Sequence, residues 1–147
     1  VTETLLMYAA RRDHIERVIG PALKRGAWVV CDRFADSTRA YQGAAGGVDL
    51  ALISALEIHV LEAVRPDLTL VFDLPATLGL ERAHARAGAE MRFESKGIAF
   101  HERLRESFRA IAAAEPERCA VIDATRPVET VEAAVWAAVS DRLAVHG

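Results

Sequence analysis

Apolar positions from Glu3 to Lys24 recur at spacings of three and four. Ile15, Val18, Ile19, Ala22 and Leu23 share one face, which predicts a helix. Gly20-Pro21 interrupts it, because proline inside a helix loses a hydrogen bond but is tolerated at a first helical position. One helix to about Ile19 and a short one from Pro21 are expected, with Gly26 as a left-handed cap. The run WVVCD, residues 28–32, is continuously apolar until Asp32, the pattern of a strand buried on both faces of a parallel sheet. A polar, glycine-rich stretch follows. Asp49 is placed to cap a helix carrying Ile53, Leu56, Val60, Leu61 and Val64. LTLVFDL predicts a second strand ending on Asp73, and Thr77 is placed to cap the helix after it. A further helix carries Phe100, Leu104, Phe108 and Ile111 and stops near Pro116. CAVIDA predicts a third strand, and a last helix from near Pro127 packs Val131, Val135, Val139 and Leu143.

Three strands alternating with helices imply an α/β fold with a parallel sheet flanked by helices. No repeat, low-complexity tract or linker breaks the chain, so residues 1–147 are expected to form a single domain. The balance of 52% hydrophobic and 27% charged residues is that of a globular protein rather than a disordered one. No apolar run approaches the roughly 20 residues of a membrane helix, and no signal peptide opens the chain, so a cytoplasmic protein without a membrane partner is expected. A net charge of −3 gives no whole-protein attraction for nucleic acid, although a small anion needs only a few local cations. Cys31 and Cys119 lack metal-ligand spacing, and both read as reduced core residues.

Ligands of open parallel sheets bind just beyond the carboxyl ends of the strands. Asp32 and Arg33 follow WVVCD at such an end. An arginine there can grip phosphate bidentately, and the adjacent aspartate can orient it or help hold Mg²⁺ through water. The pair read alone is better explained as a structural ion pair at a sheet edge. Its surroundings favour the ligand: DRFADSTRAYQG adds hydroxyls at Ser37 and Thr38, an aromatic at Tyr41 and an amide at Gln42. Upstream, Arg11 sits among apolar neighbours in LLMYAARRD. Downstream, ERAHARAGAEMRFE carries Arg82, Arg86 and Arg92, either a solvated face followed by a loop or a closing lid.

DRFADSTRAYQG is similar to the DR[YFH]xxSxxAYQG signature of the bacterial thymidylate kinase family, which phosphorylates dTMP with ATP. TLLMYAARRDHIERVIGPALKRGAWVVCDR, RPDLTLVFDLPATLGLERA and AEPERCAVIDATRP resemble the flanking segments, so the likeness spans essentially the whole chain. The resemblance implies a P-loop NTPase-type fold, Mg²⁺, ATP as co-substrate and a homodimer, with the helix from Asp49 to Val64 able to serve the dimer contact. It implies that Arg33 contacts the acceptor phosphate and that Asp32 lies near Mg²⁺. Ser37, Thr38 and Gln42 lie beside the nucleotide, Tyr41 lies against the sugar and disfavours a 2′-hydroxyl, and Arg11 reads the thymine carbonyl edge. Met7 stands where phenylalanine often stacks on the base. Arg86, then Arg92, are the expected catalytic lid cations, with Arg82 and Arg86 toward ATP. Met91 replaces a frequent aspartate and Gly46 a frequent arginine.

No GxxxxGK[ST] occurs in the sequence. In the family that loop follows a first strand lying between those that match WVVCD and LTLVFD. The resemblance, with a chain that opens on Val1, therefore implies the C-terminal portion of a longer protein, expected to fold poorly and not to catalyse alone. A kinase for another deoxynucleotide and an inactive nucleotide-binding or dimerisation piece remain the alternative readings.

Overall fold

The computed structural model describes residues 1–62, 64–85 and 96–143. These form two compact units, Val1–Arg65 and Pro66–Gly147.

The first unit is helical. Helix α1 (Thr2–His14) runs without a break into a π-helical turn, Ile15–Ile19, and then into α2 (Gly20–Lys24). The wide turn is closed by the Gly20 N–H on the Ile15 carbonyl, immediately before Pro21, which has no N–H to give. The chain thus continues through Pro21 as one helix rather than stopping and restarting. A Cβ on Gly20 would lie 3.0 Å from the Ile15 oxygen, so the tight approach suits glycine. Gly26 ends the element at φ +74°, the expected left-handed cap.

WVVCD does not form a strand. Residues 27–31 are in neither helix nor strand, and Trp28 and Val30 are 66% and 97% exposed. Of the three strands expected, two form among the described residues. An apolar run sets a preference for burial, but a strand exists only when a neighbour pairs its backbone groups. Cys31 is therefore exposed, whereas Cys119 is buried as expected. Asp32 and Arg33 accordingly follow an irregular segment, not a strand end.

The short helix α3 (Ala35–Thr38) passes into a second π-helical turn, Arg39–Ala44, closed by the Ala45 N–H on the Ala40 carbonyl at 3.0 Å. Helix α4 (Leu50–Leu61) begins where Asp49 accepts the Ala51 N–H at 2.8 Å, the expected cap. Helices α1 and α4 pack together. Ile15, Ile19, Ala35 and Leu61 form a core with Phe34, Val60 and Val64 against it.

The second unit is α/β. Strands β1 (Thr69–Asp73) and β2 (Cys119–Asp123) pair in parallel, with Asp73 opposite Asp123 at their carboxyl ends. Between them lie α5 (Ala76–Ala85), with Thr77 inside its first turn, and α6 (Gly97–Ala114). Helix α6 buries Phe100 and Leu104 and sets Phe108 and Ile111 against Val71, Ala112 and Cys119. Helix α7 (Val128–Leu143) follows, its Val131, Val135, Val139 and Leu143 stripe half-buried. The parallel sheet flanked by helices is the predicted class.

Candidate functional site

Helix α1 presents Thr4, Tyr8 and Arg11, spaced by four and three, on its inner face. Arg11 donates through Nη2 to the Thr38 hydroxyl at 3.1 Å and to the Phe34 carbonyl at 3.2 Å. Its guanidinium carbon lies 4.8 Å from the Tyr8 ring centre and 5.3 Å from that of Phe34. Burial lowers the Arg11 pKa, partly opposed by nearby Tyr8 and Glu57. An arginine stays charged through such a shift. Its Nη1 is buried with no hydrogen-bond partner. A buried donor left open next to a held guanidinium calls for an acceptor from outside the chain.

Arg33 sits at φ +68°, a left-handed conformation that costs a non-glycine residue about 1 kcal/mol and is characteristic of ligand clamps. Its Nε donates to the Ser37 hydroxyl at 3.3 Å, and its guanidinium carbon lies 4.3 Å from the Tyr41 ring centre. The contacts brace a cation without neutralising it, which leaves its charge for an anion. Asp32 beside it is exposed. Gln42 is buried; its amide N–H donates to Glu3 at 3.1 Å, and its carbonyl oxygen is a second buried polar atom without a partner. Met7 is half-buried on α1, one turn before Arg11.

The segment 33–42 and α1 thus gather Arg11, Arg33, Ser37, Thr38, Tyr41 and Gln42 in one unit. Gly46 also has a local reason. A Cβ there would meet the Tyr41 and Gln42 carbonyl oxygens at 2.6 and 2.7 Å, so an arginine at this position requires a different loop. In the second unit Arg82 donates to the Ala124 carbonyl at 2.8 Å, after β2. Arg86, Arg92 and Met91 lie outside the described residues. Among the described residues no group of three or more His, Cys, Asp or Glu could hold a metal ion.

One cluster escaped the sequence reading. Glu57, 2% exposed, accepts the Tyr8 hydroxyl at 3.1 Å. Arg39 clasps the same carboxylate, and Asp36 lies 3.6 Å from Arg39. The signal was present: Glu57 interrupts LALISALEIHVL at a four-residue spacing from Ile53 and Leu61, both buried. A carboxylate on a buried stripe requires a cation. Burial and then the Glu57 charge push the Tyr8 phenol well above its ordinary pKa.

Residues 1–135 match the family model described as Thymidylate kinase. The chain belongs to the thymidylate kinase family. It is 64% identical over 143 residues to a thymidylate kinase of Caulobacter vibrioides, covering 97% of this chain and 68% of that protein. It is 53% identical over 145 residues to one from Nitrobacter hamburgensis, covering 97% and 63%. A crystal structure of thymidylate kinase from Ehrlichia chaffeensis aligns with a TM-score of 0.73 at 31% identity, over 94% of this chain and 65% of that one. The chain thus spans about two thirds of the length of the relatives it matches. Family membership accords with the parallel sheet flanked by helices. Among the described residues no helix is long and apolar enough to cross a membrane.

Proposed function

We propose that this thymidylate kinase-family chain forms the acceptor side of a dTMP kinase, which transfers the γ-phosphate of ATP to dTMP to give dTDP and ADP. The reading rests above all on Arg11: a buried guanidinium, held by Thr38 and Phe34, with Nη1 open. A pyrimidine carbonyl would complete it. The open Gln42 oxygen suits a base N–H, and Met7 can cover the ring with its polarisable thioether. Arg33 would hold the acceptor phosphate, steadied by Ser37 and Tyr41. Phosphoryl transfer depends on such positioning and on charge stabilisation.

Mg²⁺ takes one or two carboxylates together with water and substrate phosphates, and the exposed Asp32 fits that limited role through water. When bound, the ion neutralises phosphate charge. The residues present fit ATP less well. The sequence has no GxxxxGK[ST], and Arg82 is engaged with the Ala124 carbonyl. The engagement of Arg82 favours a second reading, a chain that binds dTMP without turnover. Residence in the cytoplasm and a homodimer belong to the same proposal.

Titration calorimetry of the 147-residue chain with dTMP, dUMP, dCMP and ribothymidine monophosphate, beside an ADP-release assay, tests it. Preference for dTMP with ADP release supports the kinase. Preference without release supports the second reading. No preference among the four nucleotides overturns both.

A further inference from the structure

Tyr8, Arg39 and Glu57 are not among the residues just assigned to substrate, yet they close a ring with Arg11, which is, and with Thr38, which holds it. Arg11 reaches Thr38. The next residue in the chain, Arg39, reaches Glu57 through Nε at 3.0 Å to each oxygen and through Nη2 at 2.6 Å. Glu57 accepts the Tyr8 hydroxyl, and the Tyr8 ring lies under the Arg11 guanidinium. The ring of contacts joins α1, the segment 38–39 and α4, and three of its members lie in the interior: Thr38 and Tyr8 are at most 1% exposed and Glu57 2%.

We infer that Glu57 is a positioning residue for Arg11, acting through Tyr8 on one side and through Arg39 and Thr38 on the other. A guanidinium can rotate about its own bonds and must be aimed before it can discriminate one base edge from another. Stacking alone fixes the plane of the Arg11 group but leaves the partner ring free to slide. The Tyr8–Glu57 bond removes that freedom, because the carboxylate is itself pinned by the Arg39 fork. On the other side, Arg39 fixes the backbone that carries the Thr38 hydroxyl. A purely structural ion pair would need neither the Tyr8 bond nor the stacking on Arg11. The Glu57 charge adds a further contribution, since it lies near enough to Arg11 to favour its charged form.

The inference rests on Arg11 facing the ligand, and its test reads Arg11 directly. Tyr8→Phe keeps the ring and the Arg39–Glu57 pair, so the fold is retained; Glu57→Gln keeps an oxygen for Tyr8 while removing the charge. The readout is nitrogen-15 NMR of the Arg11 side chain in the 147-residue protein without ligand. Restricted Nη rotation in the parent chain and faster rotation in Tyr8→Phe, in a variant that still melts cooperatively, support the inference. A smaller change in Glu57→Gln than in Tyr8→Phe supports the route through the hydroxyl. Unchanged Arg11 signals in Tyr8→Phe overturn it. Affinity for dTMP is expected to fall in Tyr8→Phe by less than the roughly tenfold that loss of a direct hydrogen bond to the ligand would cost, because Tyr8 acts only through Arg11. Absence of dTMP binding by the parent chain would overturn the functional reading alone, because the NMR comparison stands without a nucleotide.

Discussion

Arg39 grips both oxygens of Glu57, and the two residues sit on different helical segments 18 positions apart. The acid is 2% exposed. Arg39→Ala leaves that carboxylate buried without its cation. It is expected to cost about 3 kcal/mol in urea unfolding, the lower end of the range for breaking such a pair, because Arg39 retains some solvent. The double replacement Arg39→Met with Glu57→Leu removes both charges and is expected to restore most of the loss. Equal destabilisation of the single and double variants would contradict this.

Tyr8 is predicted to resist alkali. Its pKa is raised, so the folded state holds the phenolic proton more tightly than the unfolded chain. Stability from this source is present below about pH 10 and declines as the pH rises above that value. Ultraviolet titration should show one of the two tyrosines ionising only at higher pH or on unfolding. Tyr8→Phe should remove that late step.

Asp73 at the end of β1 accepts Arg105 Nε and Nη2 at 2.7 and 3.0 Å. Those bonds are the main reason its pKa lies below the ordinary carboxylate value; the Arg105 and Arg109 charges act in the same direction against a desolvation cost. A depressed carboxylate contributes stability above its unfolded pKa, near 4, and loses it as pH falls through the folded value. Melting of the parent chain and Asp73→Asn should therefore differ at pH 7 and converge toward pH 2. A gap that stays constant over that range would count against the ion pair.

Glycine substitutions after Tyr41 should separate by what surrounds them. A Cβ at Gly46 would meet two backbone oxygens at 2.6 and 2.7 Å, which cannot yield without moving the loop. At Gly43 it would meet Leu50 Cδ2 at 2.6 Å and Ile53 Cδ1 at 3.1 Å, ends of side chains that can rotate. Gly46→Ala is expected to lose about 2 kcal/mol and Gly43→Ala about half as much, by denaturant unfolding. The reverse order would show that the α4 side chains are packed more rigidly than the loop.

Local signals carried most of the fold. The Asp49 cap, the Gly26 turn, both paired strands and the stripe of α6 are written in short windows, where residue type and spacing act directly. WVVCD shows the limit: its apolar run states what those residues favour, but the neighbour that makes a strand is not in the window. Within the candidate site, spacing placed Ser37, Thr38 and Tyr41 together after Arg33, and family resemblance pointed to Arg11. The Glu57 cluster was missed because its partners lie 49 and 18 positions away. Only the four-residue interval to Ile53 and Leu61 hinted that an acid was pointing inward.

The two π-helical turns carry an implication for how these helices tolerate change in length. Each holds one residue more than an ordinary helical turn would; Ile15–Ile19 lies between α1 and α2, whereas Arg39–Ala44 ends the stretch that α3 begins. A residue removed from Ile15–Ile19 would let the stretch relax into regular α-helix with its hydrogen bonds intact. Everything beyond the deletion would then swing by about 100° around the axis. Insertions and deletions here would act as a dial on side-chain direction, and the number of residues between His14 and Gly20 would matter as much as which residues they are.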